Sequence, residues 1–212
     1  SCGTSWVGFF PELDRESIIG QGLLCDPLLS TDGGGPWGAM FSLSKIGRNI
    51  ERWVARVTES EDSPDYESFA ALAAKGRPMS DATRLDVRSE PTECLPKLGH
   101  ISRENLARGV IEAAALALRG KMMKVLPDGR KRVTLVGGPT RSPLWTRIIA
   151  DVLGVELRLI SGEYAGAIGA AFLAGVGVGV YESARSVPTL KNVEETLVSP
   201  DLEAHEAYQT HF

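Results

Sequence analysis

The residues best suited to chemistry are two glycines, Gly137 and Gly138, which follow a short apolar run at residues 133–136. The run has the character of a buried strand, and residues 144–153 have the apolar spacing of a helix. Glycines between a strand and a helix let backbone N–H groups approach a ligand closely, and the helix N-terminus attracts anions. The pattern predicts either a phosphate-binding loop or a plain turn that needs a positive φ. It matches neither the Walker pattern nor the dinucleotide fingerprint.

A second candidate loop, Gly3-Thr4-Ser5, comes directly before the first apolar run of the chain. A glycine followed by two hydroxyl side chains suits a turn around a phosphate oxygen. It equally suits a turn that begins a strand. Spacing alone leaves both interpretations open.

The other residues that could bind a metal or a ligand are better explained by structural roles. His100, His205 and His211 are scattered and have no partner at metal-ligand spacing, so we interpret them as solvated or structural residues. Trp53 and Trp145 lie on expected helix faces, and we interpret them as core or interdomain contacts.

Composition restricts the classes of function. The chain has 212 residues, with 23 Lys and Arg against 27 Asp and Glu and a formal net charge of −4. This balance argues against nucleic-acid and acidic-membrane partners, whose affinity usually comes from a basic surface. Three cysteines without a C-x-x-C pair indicate reduced thiols. With no signal peptide and no expected membrane-spanning helix, the sequence predicts a cytoplasmic protein.

The apolar pattern also predicts the elements that position these loops. Expected strands cover residues 6–10, 20–29, 37–41, 133–136 and 155–160, and expected helices cover residues 42–57, 66–75, 144–153 and 163–176. A further long helix begins after Ser102, and residues 77–100 are expected to be irregular. The first three strands suggest an antiparallel meander. The later alternation of strand and helix predicts one α/β domain with a mixed sheet and parallel crossovers.

Together, these loops and the segments after them resemble the C-terminal domain of the FGGY carbohydrate kinases, within the actin-like ATPase superfamily. The resemblance is carried by Gly3-Thr4-Ser5, Gly137-Gly138, Ser142, Leu144, Trp145, residues 150–154, Glu163 and residues 166–181. It implies an RNase H-like (actin-like) α/β fold, with a mixed five-stranded sheet and helices on both faces.

The same resemblance implies how the chain is organised. Residues 1–182 correspond to the nucleotide-binding C-terminal domain, and residues 183–212 are expected to form a surface-wrapping tail. The family's N-terminal sugar-binding domain is absent from this chain, and a full member has roughly twice this length, as expected for two domains.

The resemblance further implies an ATP site built from both loops and from the first long helix. The loop at Gly3 matches the family's second phosphate loop, and Gly137-Gly138 matches the adenosine motif, whose backbone meets the α-phosphate. Ser142 corresponds to a polar residue against the adenine, and the region of Ser44 and Gly47 corresponds to the other nucleotide wall. The expected ATP-binding residues are Gly3, Thr4, Ser5, Ser44, Gly47, Gly137, Gly138 and Ser142.

Such kinases transfer the γ-phosphoryl group of ATP, bridged by Mg²⁺, to a sugar hydroxyl whose proton an aspartate takes. In the family this aspartate lies in a Gly-Gly-Asp segment shortly before the Gly-Thr-Ser loop, at which this chain begins. Asp32, followed by three glycines, lies after the loop and is interpreted as a turn. We therefore expect no catalytic residue and no metal ligand here, and an inactive chain when it is alone.

The sequence thus predicts the ATP-binding half of a carbohydrate kinase, with a small-molecule sugar bound through the N-terminal domain. The resemblance extends to xylulokinases and rhamnulokinases, so a pentulose, a deoxyhexulose and a polyol stay open as substrates. The alternatives are a non-catalytic nucleotide-binding or scaffold module of the same superfamily and a chaperone-type ATPase. No nucleic-acid or membrane partner is expected, and a homodimer stays open.

Overall fold

A computed structural model describes residues 1–12, 14–26, 37–60, 63–98, 100–123, 131–160, 165–184, 186–188 and 195–210. The strands are β1 (Trp6–Glu12), β2 (Leu24–Asp26), β3 (Trp37–Leu43), β4 (Arg132–Leu135), β5 (Glu156–Ile160) and β6 (Glu195–Val198). The helices are α1 (Arg15–Gly20), α2 (Ile46–Thr58), α3 (Tyr66–Lys75), α4 (Pro91–Leu98), α5 (Arg103–Met122), α6 (Pro143–Leu153), α7 (Ala165–Gly177) and α8 (Leu202–Gln209). Short 3₁₀ turns cover Asp81–Arg84 and Gly138–Arg141.

The six strands form two three-stranded sheets. In the first sheet β3 lies between β1 and β2 and is antiparallel to both. This order corrects the expected meander, because α1 separates β1 from β2 and leaves the place beside β1 to β3. In the second sheet β4 and β5 are parallel, and β6 pairs antiparallel with β5.

The single five-stranded sheet that the resemblance implies is therefore divided in the described part of the chain. Cys2 joins the two sheets, through a parallel bridge to Gly137 and an antiparallel bridge to Trp6. Beyond this junction β1 and β4 are the edge strands of separate sheets.

The hydrophobic core is built around α5, which contacts α2, α3 and α6. The apolar positions of α2 that recur at helical spacing are buried, as the pattern predicts: Ile46, Ile50, Trp53, Val54 and Val57. Trp145 is buried and packs edge-to-face against Trp6, with ring centroids 6.1 Å apart. The interpretation of Trp53 and Trp145 as core residues is confirmed.

A buried carboxylate, Glu112 on α5, organises the segment expected to be irregular. Its oxygens accept hydrogen bonds from the Met79 backbone N–H at 3.1 Å and from the Thr83 hydroxyl at 2.6 Å. They also accept the Arg108 Nε–H at 2.9 Å and the Tyr208 hydroxyl at 2.7 Å. Burial, reinforced by the Glu112 charge, raises the pKa of Tyr208 far above its usual range. One charged group thus fastens the 3₁₀ turn at Asp81–Arg84 and the C-terminal helix to the core.

The described part of the C-terminal segment, which is expected to form a surface-wrapping tail, supplies β6 and α8. The Asp201 backbone N–H donates to Asp151 on α6 at 2.8 Å. His205 donates from Nδ1 to the Asp151 carbonyl at 2.8 Å and faces the Gln209 amide through Nε2. His205 therefore has a structural role, fastening α8 to α6, as one of the two interpretations predicts.

None of the helices in the described ranges is both long and apolar enough to cross a membrane. Cys2, Cys25 and Cys94 are not joined in disulfides.

Candidate functional site

The two glycine loops meet at the backbone of Cys2. Its N–H donates to the Val136 carbonyl at 2.9 Å, and its carbonyl accepts the Gly138 N–H at 3.1 Å. The turn at residues 3–5 follows immediately and leads into β1. Two segments that are distant in the sequence are thus hydrogen-bonded neighbours, which is what a shared ligand site requires.

Gly137 and Gly138 have different structural roles. Gly137 has φ +109°, and a Cβ there would overlap the Cys2 carbonyl, so the close approach of the two loops requires glycine. At Gly138 an added Cβ would come no closer than 4.0 Å to the nearest heavy atom, the Cys2 oxygen. Gly138 therefore leaves open space above the loop, while Gly137 permits the junction beneath it.

Helix α2 begins directly against the first loop. The Gly47 N–H donates to the Thr4 carbonyl at 3.0 Å, and a Cβ at Gly47 would overlap the Gly3 carbonyl. The Lys45 N–H donates to the Ser5 hydroxyl at 3.2 Å, and Lys45 has φ +62°, which is unusual for a residue with a side chain. Gly47 is thus required for contact between α2 and the loop.

A cleft of 670 Å³ opens above these contacts, between the two loops, α2, α3 and the start of α6. Five of the eight residues predicted to bind ATP line it: Gly3, Thr4, Gly47, Gly138 and Ser142. The lining also includes Arg141, an exposed cation in the 3₁₀ turn after Gly138. The cleft is large enough for a small-molecule ligand such as a nucleotide.

The other three predicted residues, Ser5, Ser44 and Gly137, are not part of the cleft lining. Ser5 accepts the Lys45 N–H, Gly137 forms the bridge to Cys2, and the Ser44 hydroxyl lies 3.5 Å from that of Ser42. Five of the eight predicted residues therefore line one cleft, and the role of all eight in ATP binding stays a prediction.

Ser142 lines the cleft and also caps the N-terminus of α6. Its hydroxyl accepts the Trp145 backbone N–H at 3.5 Å, as the N-cap of α6, and its side chain is partly exposed to the cleft. The Thr140 hydroxyl donates to the Gly137 carbonyl at 2.8 Å and holds the turn between them. The loop is fixed by its own side chains before any ligand binds.

Sequence reasoning missed the wall formed by α2 and α3, which contributes Glu51, Tyr66, Glu67 and Ala70. Glu51 lies four residues after Gly47, so both are on one helix face, and this spacing could have identified it. Tyr66 is half-exposed, and partial burial with the nearby Glu51 charge raises the pKa of its hydroxyl. This wall presents a phenol ring and two carboxylates at a distance from the glycine loops.

The described residues contain no group of three His, Cys, Asp or Glu side chains that could hold a metal ion. Asp32 and the glycines at 33–35 lie outside the described residues. Burial raises the pKa of the Cys2 thiol to about 11, so the thiol is protonated at neutral pH and no nucleophile.

Comparison with known proteins gives a consistent set of similarities. The sequence profile of the FGGY family of carbohydrate kinases, C-terminal domain, matches residues 98–178. An L-xylulose/3-keto-L-gulonate kinase of Escherichia coli strain K12 is 42% identical over 79 residues, 37% of this chain and 15% of the relative. A xylulose kinase of Staphylococcus epidermidis is 28% identical over 117 residues, 54% of this chain and 23% of the relative.

Solved structures extend the similarity of fold to nearly the whole chain. A xylulose kinase from Rhodospirillum rubrum superimposes with a TM-score of 0.68 at 21% identity, over 98% of this chain and 43% of its own. A Plasmodium falciparum glycerol kinase with ADP gives 0.68 at 14% identity, over 99% of this chain and 44% of its own. This chain therefore spans less than half the length of these structures.

The different roles of the paired glycines predict different costs of substitution. Gly137→Ala should lower the free energy of unfolding by about 1–3 kcal/mol, because alanine is strained at its φ and its Cβ overlaps Cys2. Gly138→Ala, the matched control, should change it by no more than about 0.5 kcal/mol. Urea denaturation followed by circular dichroism measures both, and equal losses for the two variants would contradict the loop geometry.

Proposed function

Since this chain belongs to the FGGY family of carbohydrate kinases through its C-terminal domain, we propose that its cleft binds ATP for phosphoryl transfer to a sugar hydroxyl. One observation carries the proposal. Two loops that the family resemblance assigns to ATP are hydrogen-bonded through Cys2 and line one cleft of 670 Å³.

The phosphates belong at the glycine end of the cleft. A Cβ at Gly3 would meet nothing within 4 Å, and one at Gly138 would meet only the Cys2 oxygen, so both positions leave room for phosphate oxygens. The Gly138 and Gly47 amides are already bonded to backbone carbonyls. These two glycines therefore contribute by letting the phosphates come close to the backbone. The Thr4 hydroxyl supplies a hydrogen-bond donor on the lining, and the Arg141 guanidinium supplies a cation.

The nucleoside belongs at the α3 end of the same cleft. Tyr66 offers a half-exposed aromatic ring against which a base can pack. Glu51 is one helical turn from Gly47, about 6 Å along the axis of α2. Its carboxylate accepts hydrogen bonds, which suits an amino group or a ribose hydroxyl and disfavours phosphate. This division of charge orients the nucleotide with its phosphates toward Gly3.

Positioning and charge neutralisation are the main contributions of a protein to phosphoryl transfer. Mg²⁺ enters as the partner of the ATP phosphates, whose charge it neutralises. The family resemblance assigns the base that takes the sugar proton to a segment before Gly3, and most sugar contacts to the family's N-terminal domain. The relatives named as xylulose kinases support a pentulose as the acceptor.

Filling the open space above Gly138 should block nucleotide binding without unfolding the chain. We expect Gly138→Val to weaken ADP and ATP binding at least tenfold, because its side chain occupies the phosphate end of the cleft. Gly20→Val, at an exposed position where a Cβ meets nothing within 4 Å, is the matched control. Isothermal titration calorimetry measures the affinities, and an unchanged Kd for Gly138→Val would refute the site.

The chain alone should bind nucleotide and transfer no phosphoryl group. The transfer needs a base for the hydroxyl proton, which the family resemblance assigns to a segment before Gly3. A coupled ADP-release assay with xylulose, rhamnulose and glycerol should give no sugar-dependent rate, while calorimetry still detects ADP. Turnover with any of these acceptors would contradict the assignment of the catalytic base to a segment before Gly3.

A further inference from the structure

A groove of 470 Å³ lies beside the C-terminal half of α5 and is separate from the large cleft. One wall is formed by residues 83–88, and Leu43 of β3 completes the lining. The other wall consists of residues of α5: Ala113, Leu116, Ala117, Gly120 and Lys121. We call this cavity the α5 groove. It shares no lining residue with the large cleft, so the two cavities can bind different ligands.

The wall of residues 83–88 has an apolar side and a charged side. Leu85 and Val87 are buried in the core. Arg84, Asp86 and Arg88, which alternate with them, are exposed. The alternation places three charged side chains along one edge of the α5 groove.

The opposite wall offers apolar surface. Leu116 and Ala117 of α5 are only partly buried, although they pack against the hydrophobic core. Gly120 has no side chain to cover them, and Lys121 follows it at the end of the groove lining. The carbon part of a ligand could therefore remove apolar surface of α5 from water.

The charged wall is held in place by other elements. The Thr83 hydroxyl donates to buried Glu112 at 2.6 Å, and the Asn49 side-chain amide on α2 donates to the Arg88 carbonyl. The Ser89 N–H donates to the Asp86 carbonyl at 2.9 Å. Because this backbone is fixed before a ligand arrives, less conformational entropy is lost on binding.

The α5 groove carries an excess of positive charge. Arg88 donates to both Asp86 oxygens, from Nε at 2.9 Å and from Nη2 at 3.2 Å, and these bonds lower the pKa of Asp86. This pair cancels its own charge. The Arg84 guanidinium and the Lys121 ammonium remain, and within the described ranges neither has an ion pair or a side-chain hydrogen bond. Two such cations in one groove contrast with the net charge of −4 of the whole chain.

We propose that the α5 groove binds a small organic phosphate, with the phosphate group held by Arg84 and Lys121 and the carbon part against Leu116 and Ala117. A phosphate monoester carries a charge of about −2 at neutral pH, which two cations match better than they match a single carboxylate. A guanidinium offers parallel N–H donors to phosphate oxygens, and an ammonium adds a compact charge. The volume of 470 Å³ lies within the usual range for small-molecule sites.

The experiment titrates the 212-residue chain with phenyl phosphate and follows the methyl groups of Leu116 and Ala117 by NMR. Phenol, which lacks the anion, and inorganic phosphate, which lacks the carbon part, are the matched probes. Each titration is repeated with ADP at saturating concentration, which separates binding in the α5 groove from phosphate binding at the glycine loops. Arg84→Gln and Lys121→Gln each remove one charge. Arg56→Gln, at an exposed position outside both cavities, is the control variant.

Phenyl phosphate should shift both methyl signals with a single Kd that ADP does not change, and it should bind more tightly than either matched probe. Arg84→Gln and Lys121→Gln should each raise this Kd by about fivefold, the usual value of one partly exposed charged hydrogen bond, while Arg56→Gln leaves it unchanged. Asp86→Asn should lower the Kd, because it removes a carboxylate from the lining. A gain of affinity in this variant cannot arise from a folding defect.

Equal Kd values in Arg84→Gln, Lys121→Gln and Arg56→Gln would overturn the proposal. Phenol that binds as tightly as phenyl phosphate would also overturn it, because the groove would then recognise no anion. A lower melting temperature of Lys121→Gln with an unchanged Kd would do the same, since Lys121 would then interact with the C-terminal carbonyls of α5 and not with a ligand.

Discussion

The domain depends on one short piece of backbone, the peptide groups of Cys2. Their two hydrogen bonds, to Val136 and from Gly138, join a sheet formed early in the sequence to a sheet formed late. The same residue is paired with Trp6, so the loop at residues 3–5 has fixed ends. The two loops that line the large cleft are held together at this junction. A cleft lined by both loops would be lost if the two sheets separated here.

The glycines around this junction have two distinct physical roles. Gly137 and Gly47 are places where backbones approach so closely that a Cβ would overlap a carbonyl oxygen. Gly3 and Gly138 are places where a Cβ would point into open space. The first pair builds the junction, and the second pair keeps the cleft open. A count of glycines does not separate these roles, because both depend on segments that are distant in the sequence.

Local signals in the sequence predicted much of the fold. The caps at Ser102 and Gly154 are observed, and the strand–glycine–helix order around Gly137 is correct, because each depends on nearby residues. Other features depend on tertiary contacts that periodicity does not encode. They are the strand order β1-β3-β2, the packing of the last helix and the wall at Tyr66. Glu112 illustrates the same limit. A glutamate on a long helix is expected to face solvent, and only the contacts with its four partners from three segments explain its burial.

The central claim is that both loops and the α2–α3 wall act as one nucleotide site, and an ADP titration followed by amide NMR tests it most directly. We expect the resonances of Gly3, Gly138 and Tyr66 to shift together with a single Kd, while those of α8 stay in place. Shifts confined to one loop would contradict a single site.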